Sequence, residues 1–286
     1  MPEPMPRFRR SPARTPGIDE LIPPKRVLPS YTRKGDFRKA GARFLQAAVD
    51  AGLEPQHRLL DLGCGVGRLA VAVSQYMDDR GRYVGLDTDR NAIRLCDEWI
   101  GSRLPHFTFV WADVFNTRYN PSAEAKGAQY RFPFEDDEFD FVFSNSLFTH
   151  LVPDDARNYF REIGRVLKPG GRTMNTIFLL NQESLALVRA GESQQGVLHE
   201  LGELALVKHP QRPEAWIALD EEFVRTAHEK AGLGIEQVRY GAWSGREPSG
   251  PGLGKKDTIV ARKPTLAGSG RPPKVRAESA GVQERA

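Results

Sequence analysis

Leu59-Leu60-Asp61-Leu62-Gly63-Cys64-Gly65-Val66-Gly67 joins a short apolar run to three glycines at alternate positions, and a helical pattern opens at Arg68. The run has strand character, and Asp61 stands where it gives way to the turn. Lacking a Cβ, Gly63, Gly65 and Gly67 let the backbone turn sharply and come close to a ligand. The spacing D-x-G-x-G-x-G differs from the G-x-G-x-x-G dinucleotide fingerprint, and no Lys-Ser/Thr pair follows as in a phosphate-binding P-loop. The segment predicts a strand, a ligand-facing turn and a helix.

Working outward, the same alternation repeats. Phe37, Ala40, Phe44, Leu45, Ala48 and Val49 recur at helical spacing ahead of Gly52. The first strand is Arg58–Leu62, with a helix from Arg68 to about Tyr76. A second strand, Tyr83–Leu86, closes on Asp87 and is followed by a helix from Arg90 to about Ile100. Phe107–Trp111 alternates toward Asp113, and Asp140–Phe143 runs into Ser144 and Asn145. A helix over Asp154–Leu167 is expected to stop at the breaker cluster Lys168-Pro169-Gly170-Gly171, which feeds a fifth strand, Arg172–Leu180. Strands alternating with such helices imply βαβ units and a doubly wound, mostly parallel α/β sheet, here of seven strands. Ligands bind such sheets at the carboxyl ends of the strands. Asp61, Asp87, Asp113 and Ser144 all fall at such ends. Residues 181–219 break the rhythm with one helical piece and two strand-like runs, which predicts a small inserted cap with a hairpin. Asp220 is then a helix N-cap, and Ile235–Tyr240 and Thr258–Ala261 complete the sheet.

From Leu59 to Lys263 this pattern resembles the class I S-adenosylmethionine-dependent methyltransferases, with a Rossmann-like fold. The resemblance implies that the loop of Gly63, Cys64, Gly65 and Gly67 passes beneath the methionine part of S-adenosyl-L-methionine, with Asp61 helping to hold its ammonium group. It implies that Asp87, with Thr88 beside it, accepts both ribose hydroxyls, a role suited to an acceptor-only carboxylate. Asp113 corresponds to the acid that receives the adenine amine, and the Val114 N–H to a donor for a ring nitrogen. Ser144 and Asn145 lie where the main chain meets the methionine end. Two of these residues also have plain structural readings: Asp87, Thr88 or Asp89 can cap the following helix, and Cys64 can be a small filler.

A closer resemblance runs through Arg118–Pro121, Tyr130–Phe134, Phe139–His150, Arg165–Arg172 and Trp243–Arg246. These segments are similar to a mostly bacterial group of small-molecule methyltransferases with a type 11 or type 25 domain. That group commonly carries an aromatic residue and Gln-Asp ahead of the last strand, and here only Asp257 of that pattern remains. Within this frame His150, at the mouth of the fourth strand, is the candidate general base for an oxygen acceptor, with helix capping or packing as its alternative. Tyr31, Phe148, Trp216, Trp243 and Arg246 are candidates for the acceptor pocket, where aromatics beside an arginine would suit an acidic or sugar-like substrate.

Charge bears on the partner. Residues 1–35 carry a net +5, residues 264–286 a net +2, and residues 36–263 a net −3, so the basicity lies in the tails. Domain boundaries are expected at a disordered basic tail over 1–30, a methyltransferase domain over 31–263 and a second tail over 264–286. An acidic central region argues against a polyanionic substrate and for a small-molecule methyl acceptor over nucleic acid. An RNA or protein methyltransferase recruited by the tails, and a catalytically silent cofactor-binding regulatory subunit, are the rival readings. With two cysteines and no metal-ligand spacing among six histidines, neither a disulfide framework nor a zinc cluster is expected. No stretch reaches the apolar length of a membrane helix, and a cytoplasmic setting fits the cysteine usage.

Overall fold

The structure is a computed structural model and describes residues 16–33, 35–117, 119–193, 195–250 and 253–265. In chain order its elements are α1 (Ser30–Arg33), α2 (Phe37–Asp50), β1 (Arg58–Leu62), α3 (Arg68–Val73), β2 (Arg82–Asp87), α4 (Arg90–Cys96), β3 (Phe107–Trp111), β4 (Phe139–Ser144), α5 (Pro153–Val166), β5 (Leu167–Ile177), β6 (Leu179–Leu180), α6 (Gln182–Arg189), β7 (His199–Glu200), β8 (Ala205–Val207), β9 (Ile217–Asp220), α7 (Glu221–Lys230), β10 (Gly234–Arg239) and β11 (Asp257–Arg262). Seven strands form one sheet in the order β10-β11-β5-β4-β1-β2-β3. The pairs from β5 across to β3 are parallel, while β11 runs antiparallel to both its neighbours.

Strong local signals set the elements nearest the glycine turn. Leu59, Leu60 and Leu62 are buried on both faces of β1, as a central parallel strand requires. Asp36 caps α2 by accepting from the Lys39 N–H, and Asp89 caps α4 by accepting from the N–H groups of Asn91 and Ala92. Asp220 caps α7 in the same way through Phe223. The α4 helix ends in a wider π turn over Asp97–Gly101.

Three expectations are corrected. The helix does stop ahead of Lys168–Gly171, at Val166, but the strand opens at Leu167 and not at Arg172, so the cluster is no connector between the two. It sits inside β5 as a bulge, where the register to β4 jumps from Phe139–Leu167 to Phe141–Arg172. Gly170, at φ +87°, supplies the left-handed turn that lets the strand resume. Secondly, the segment before residue 31 is packed, not a free tail, from Ile18 onward: Leu21 and Leu28 are buried in the apolar cores on either side of α2. Residues 1–15 and 266–286, which hold most of the expected tails, lie outside the described residues. Thirdly, the cap is more than a hairpin. It contains a second sheet, β6-β9-β8-β7, whose first strand continues directly from the end of β5.

Candidate functional site

The glycine turn is pinned from below. The N–H groups of Gly63 and Cys64 both donate to the carbonyl of Leu86, at 2.8 and 3.2 Å, which ties the end of β1 to the end of β2. Gly63, Gly65 and Gly67 have φ of +75°, +53° and +78°. Gly67 caps α3, and a Cβ there would stand 2.6 Å from Ile100 Cδ1, so this glycine is demanded by packing as well as by backbone angle. Gly65 differs: a Cβ would meet nothing within 4 Å, because the residue borders a cavity.

Asp87 joins the two motifs. Its Oδ2 accepts from the Gly65 N–H at 2.7 Å, and its Oδ1 accepts from the Asp89 N–H at 2.8 Å. Each carboxylate oxygen has a second lone pair, so two further donors can be taken without releasing the loop. Burial pushes the Asp87 pKa up to about 6, against the pull of those backbone donors. Asp61 lies deeper. It is buried, accepts from the Tyr83 hydroxyl at 2.6 Å, and burial raises its pKa to about 7.

The cavity occupies the carboxyl ends of β1, β2, β3 and β4 and encloses about 1230 Å³ of empty space, part of it open to solvent. One wall consists of the glycine loop, Asp87, Thr88, Ala112 and Val114. The opposite wall comes from α5 and from the cap, which contributes Glu214. His150 links the two sides. Its Nδ1 lies 2.7 Å from the Glu214 carbonyl oxygen, which can only accept, so Nδ1 carries the proton and Nε2 is the basic nitrogen of the neutral ring. Ser146, on the rim after β4, holds φ +66°. Its N–H donates to Thr176 Oγ1 at 2.8 Å and its carbonyl accepts from Thr149 Oγ1 at 3.2 Å, which fixes a backbone conformation that costs roughly 1–3 kcal/mol.

Of the residues singled out in the sequence, Gly63, Gly65, Asp87, Thr88, Val114, Asn145 and His150 border this cavity. Others are placed elsewhere. Asp61, Cys64 and Ser144 are buried behind the wall, and Ser144 Oγ donates to Asn175 Oδ1 at 2.8 Å. Asp113 accepts from Asn120 Nδ2 at 2.9 Å and is not in the wall, and the Val114 N–H is already donated to the Ala112 carbonyl. Phe148 is fully buried and stacks on Phe160 with ring centroids 4.2 Å apart. Trp216 packs with Phe178 and Trp243, away from the cavity. The Trp243 ring sits in that cluster while its Nε1–H donates to Asp257 Oδ2 at 2.7 Å. Arg246 is buried too, with Nη1 3.5 Å from Glu183 and its guanidinium over the Tyr240 ring. The expected aromatic–arginine acceptor pocket is therefore a structural pin: Asp257 also accepts from the N–H groups of Leu179 and Gly241, and so fastens β6 to β11. The Tyr31 side chain lies outside the described residues.

Sequence reading missed Ser146, Asp155, Tyr159 and Glu214 in the wall. Asp155 and Tyr159 are four residues apart on α5, a spacing that puts both on one face of a helix. That signal was available. The meeting of Glu214 with His150 had none.

Residues 60–174 match a family model described as "Methyltransferase domain". The uncharacterized methyltransferase YcgJ of Bacillus subtilis (strain 168) is 29% identical over 117 residues, which are 41% of this chain and 39% of that protein. The 2-phytyl-1,4-naphtoquinone methyltransferase of Synechocystis is 27% identical over 148 residues, covering 51% of this chain and 56% of that one. The chain thus spans less than two thirds of the length of these curated relatives. Among solved structures, a protein from Pyrococcus horikoshii OT3 superposes with a TM-score of 0.55 at 20% identity, over 84% of this chain and 97% of that one. The cyclase SpnF superposes with a TM-score of 0.51 at 17% identity, over 82% of this chain and 86% of that one. These two likenesses concern the fold, and the second shows that a fold of this kind serves more than one reaction. The matched family model over residues 60–174, together with the glycine turn, its acid partner and the seven-stranded sheet, supports a class I S-adenosylmethionine-dependent methyltransferase domain in this chain.

Proposed function

We propose that the chain binds S-adenosylmethionine in the cavity at the strand ends and transfers its methyl group to a nitrogen or oxygen of a small molecule. The observation that carries this reading is the Asp87 carboxylate. It holds the Gly65 N–H at 2.7 Å and keeps lone pairs for two hydroxyl donors at the cavity wall. Gly65 leaves open space where any side chain would stand, which is what a bulky ligand lying across the loop requires. When bound, the cofactor supplies a methyl group on a positively charged sulfur, an activated leaving group.

The chain's own work is orientation, shielding and proton removal. Glycine loop, Asp87 and Thr88 on one side, with Asn145 and Ser146 beside them, grip one ligand, while the cap wall encloses the other. Alignment of this kind can supply roughly 7–11 kcal/mol of the barrier. His150, its Nδ1–H held by the Glu214 carbonyl, offers Nε2 to take the acceptor's proton. Relatives whose names specify a naphthoquinone, arsenite or a sterol support a small-molecule acceptor over a macromolecular one. The test is methyl transfer from isotope-labelled S-adenosylmethionine by the full chain into a fractionated small-metabolite extract, with RNA and protein fractions in parallel. Label is expected in a low-molecular-weight product, and label confined to RNA or protein would reject the small-molecule reading. Tight cofactor binding with no transfer to any fraction would favour a silent regulatory subunit.

A further inference from the structure

The cap end of the cavity holds features that the cofactor reading leaves unused. Asp155, in the first turn of α5, sets its carboxyl flat against Gly127. A Cβ on that glycine would stand 2.6 Å from Asp155 Cγ, so the close approach requires glycine there. Both residues border the cavity. One turn further along the same helix face, Tyr159 is only 5% exposed and lines the cavity, yet its hydroxyl has no hydrogen-bond partner among the described residues. Facing the cavity, that hydroxyl can both donate to and accept from a ligand's polar group. From the cap side Glu214 adds a second carboxylate, with Oε2 accepting from Thr117 Oγ1 at 3.3 Å. Burial, with Glu214 and Asp154 nearby, pushes the Asp155 pKa up against the pull of the Ala128 N–H and of the Lys126 charge. A cation placed between Asp155 and Glu214 would oppose that shift.

Cations in the wall do not balance them. Besides His150, Arg68 borders the cavity, and its guanidinium lies over the Phe44 ring of α2, 5.3 Å from the centroid. Arg246, the residue that would have favoured an acidic acceptor, is buried beside Glu183, outside the cavity.

We infer that Asp155, Tyr159 and Glu214 form the acceptor end of the cavity and that the methyl acceptor is a small molecule carrying a protonated amine, held by the two carboxylates with the Tyr159 hydroxyl on its polar edge. This deepens the methyltransferase reading and rests on it. The experiment uses the full chain saturated with S-adenosylhomocysteine and titrates it with benzylamine, tyramine and histamine, and with benzoate and 4-hydroxyphenylacetate as acidic counterparts of similar size. Amines are expected to bind and acids not to. Asp155→Asn should weaken amine binding at least about tenfold, and the shape-conserving Tyr159→Phe about threefold, as losses of a charged and a neutral hydrogen bond respectively. Neither change should alter affinity for S-adenosylhomocysteine. The inference is overturned if the acids bind in preference, if no amine binds, or if both variants bind amines as the wild type does. It is also overturned if affinity for S-adenosylhomocysteine falls in parallel, which would assign the carboxylate to the cofactor. Failure of S-adenosylhomocysteine to bind the wild type would reject the cofactor reading itself, and so separates the two.

Discussion

The two walls of the cavity are built in opposite ways. The glycine-loop wall comes from consecutive βα units, and each residue in it sits at a strand end whose place is set by parallel pairing: β1 to β2, β2 to β3. The facing wall is assembled from α5 and the turn between β8 and β9, joined where His150, just ahead of α5, meets the carbonyl of Glu214, 64 residues further along the chain. A wall made by register can be read locally, residue by residue. A wall made by docking an insertion cannot, because nothing near either residue names the other. The same division separates the two proposed tasks: donor binding on the first wall, acceptor binding and proton removal on the second.

If that division holds, each wall should fail in its own way. The largest effect is expected at the junction. His150→Ala should reduce turnover by about 10²–10⁴ while affinity for S-adenosylhomocysteine changes little. A parallel fall in cofactor affinity would merge the walls and return His150 to a structural role. Asp87→Asn is the mirror experiment. Asn turns one acceptor oxygen into a donor and removes the charge, and loss of one hydrogen bond to a charged acceptor, at roughly 1.5–3 kcal/mol, should weaken cofactor binding about tenfold or more by calorimetry. An unchanged affinity would leave Asp87 as a tie between the loop and the α4 cap.

A pH series sharpens the same point. Ligand hydroxyls donate to the ionised carboxylate, so binding needs Asp87 deprotonated. With its pKa near 6, cofactor affinity should decline as pH drops through that value, and Asp87→Asn should lack this limb. Any decline left in the variant near pH 7 belongs to Asp61, which lies under the same loop. The smallest functional effect is expected from Trp243→Phe. Removing the indole donor from the buried Asp257 should cost about 1–3 kcal/mol of stability, read as a lower melting temperature, with cofactor affinity intact. A loss of acceptor turnover without a loss of stability would restore Trp243 to the pocket.

The same contrast explains what was legible beforehand. Arg58–Leu62 and Phe107–Trp111 are the observed strands residue for residue, because a buried parallel strand between turn signals has little else it can be. Asp36, Asp89 and Asp220 are plain caps. Gly65 and Asp87 were legible because the turn and the strand end are each local events. Lys168–Gly171 marks the helix stop as expected, but the start of the fifth strand at Leu167 is not legible there, because Pro and paired glycines mark a connector and a bulge alike and only the partner strand decides between them. Trp243 and Arg246 were misplaced for a related reason. Their position before the last strand says which sheet end they occupy, and the direction of their side chains is set by Asp257 and Glu183, which the linear motif does not reveal. Asp155 and Tyr159 carried a readable helical spacing but no reason to prefer the cavity over the core.

The most direct test is a calorimetric titration of the full wild-type chain and Gly65→Val with S-adenosylhomocysteine, each checked for folding by its far-ultraviolet circular dichroism. The wild type should bind one molecule per chain. Gly65→Val should keep its secondary structure and lose binding, because the side chain would fill the space the ligand needs and the position holds φ +53°. No heat from the wild type, or equal binding by a folded Gly65→Val, would contradict the assignment of the cofactor to the glycine loop.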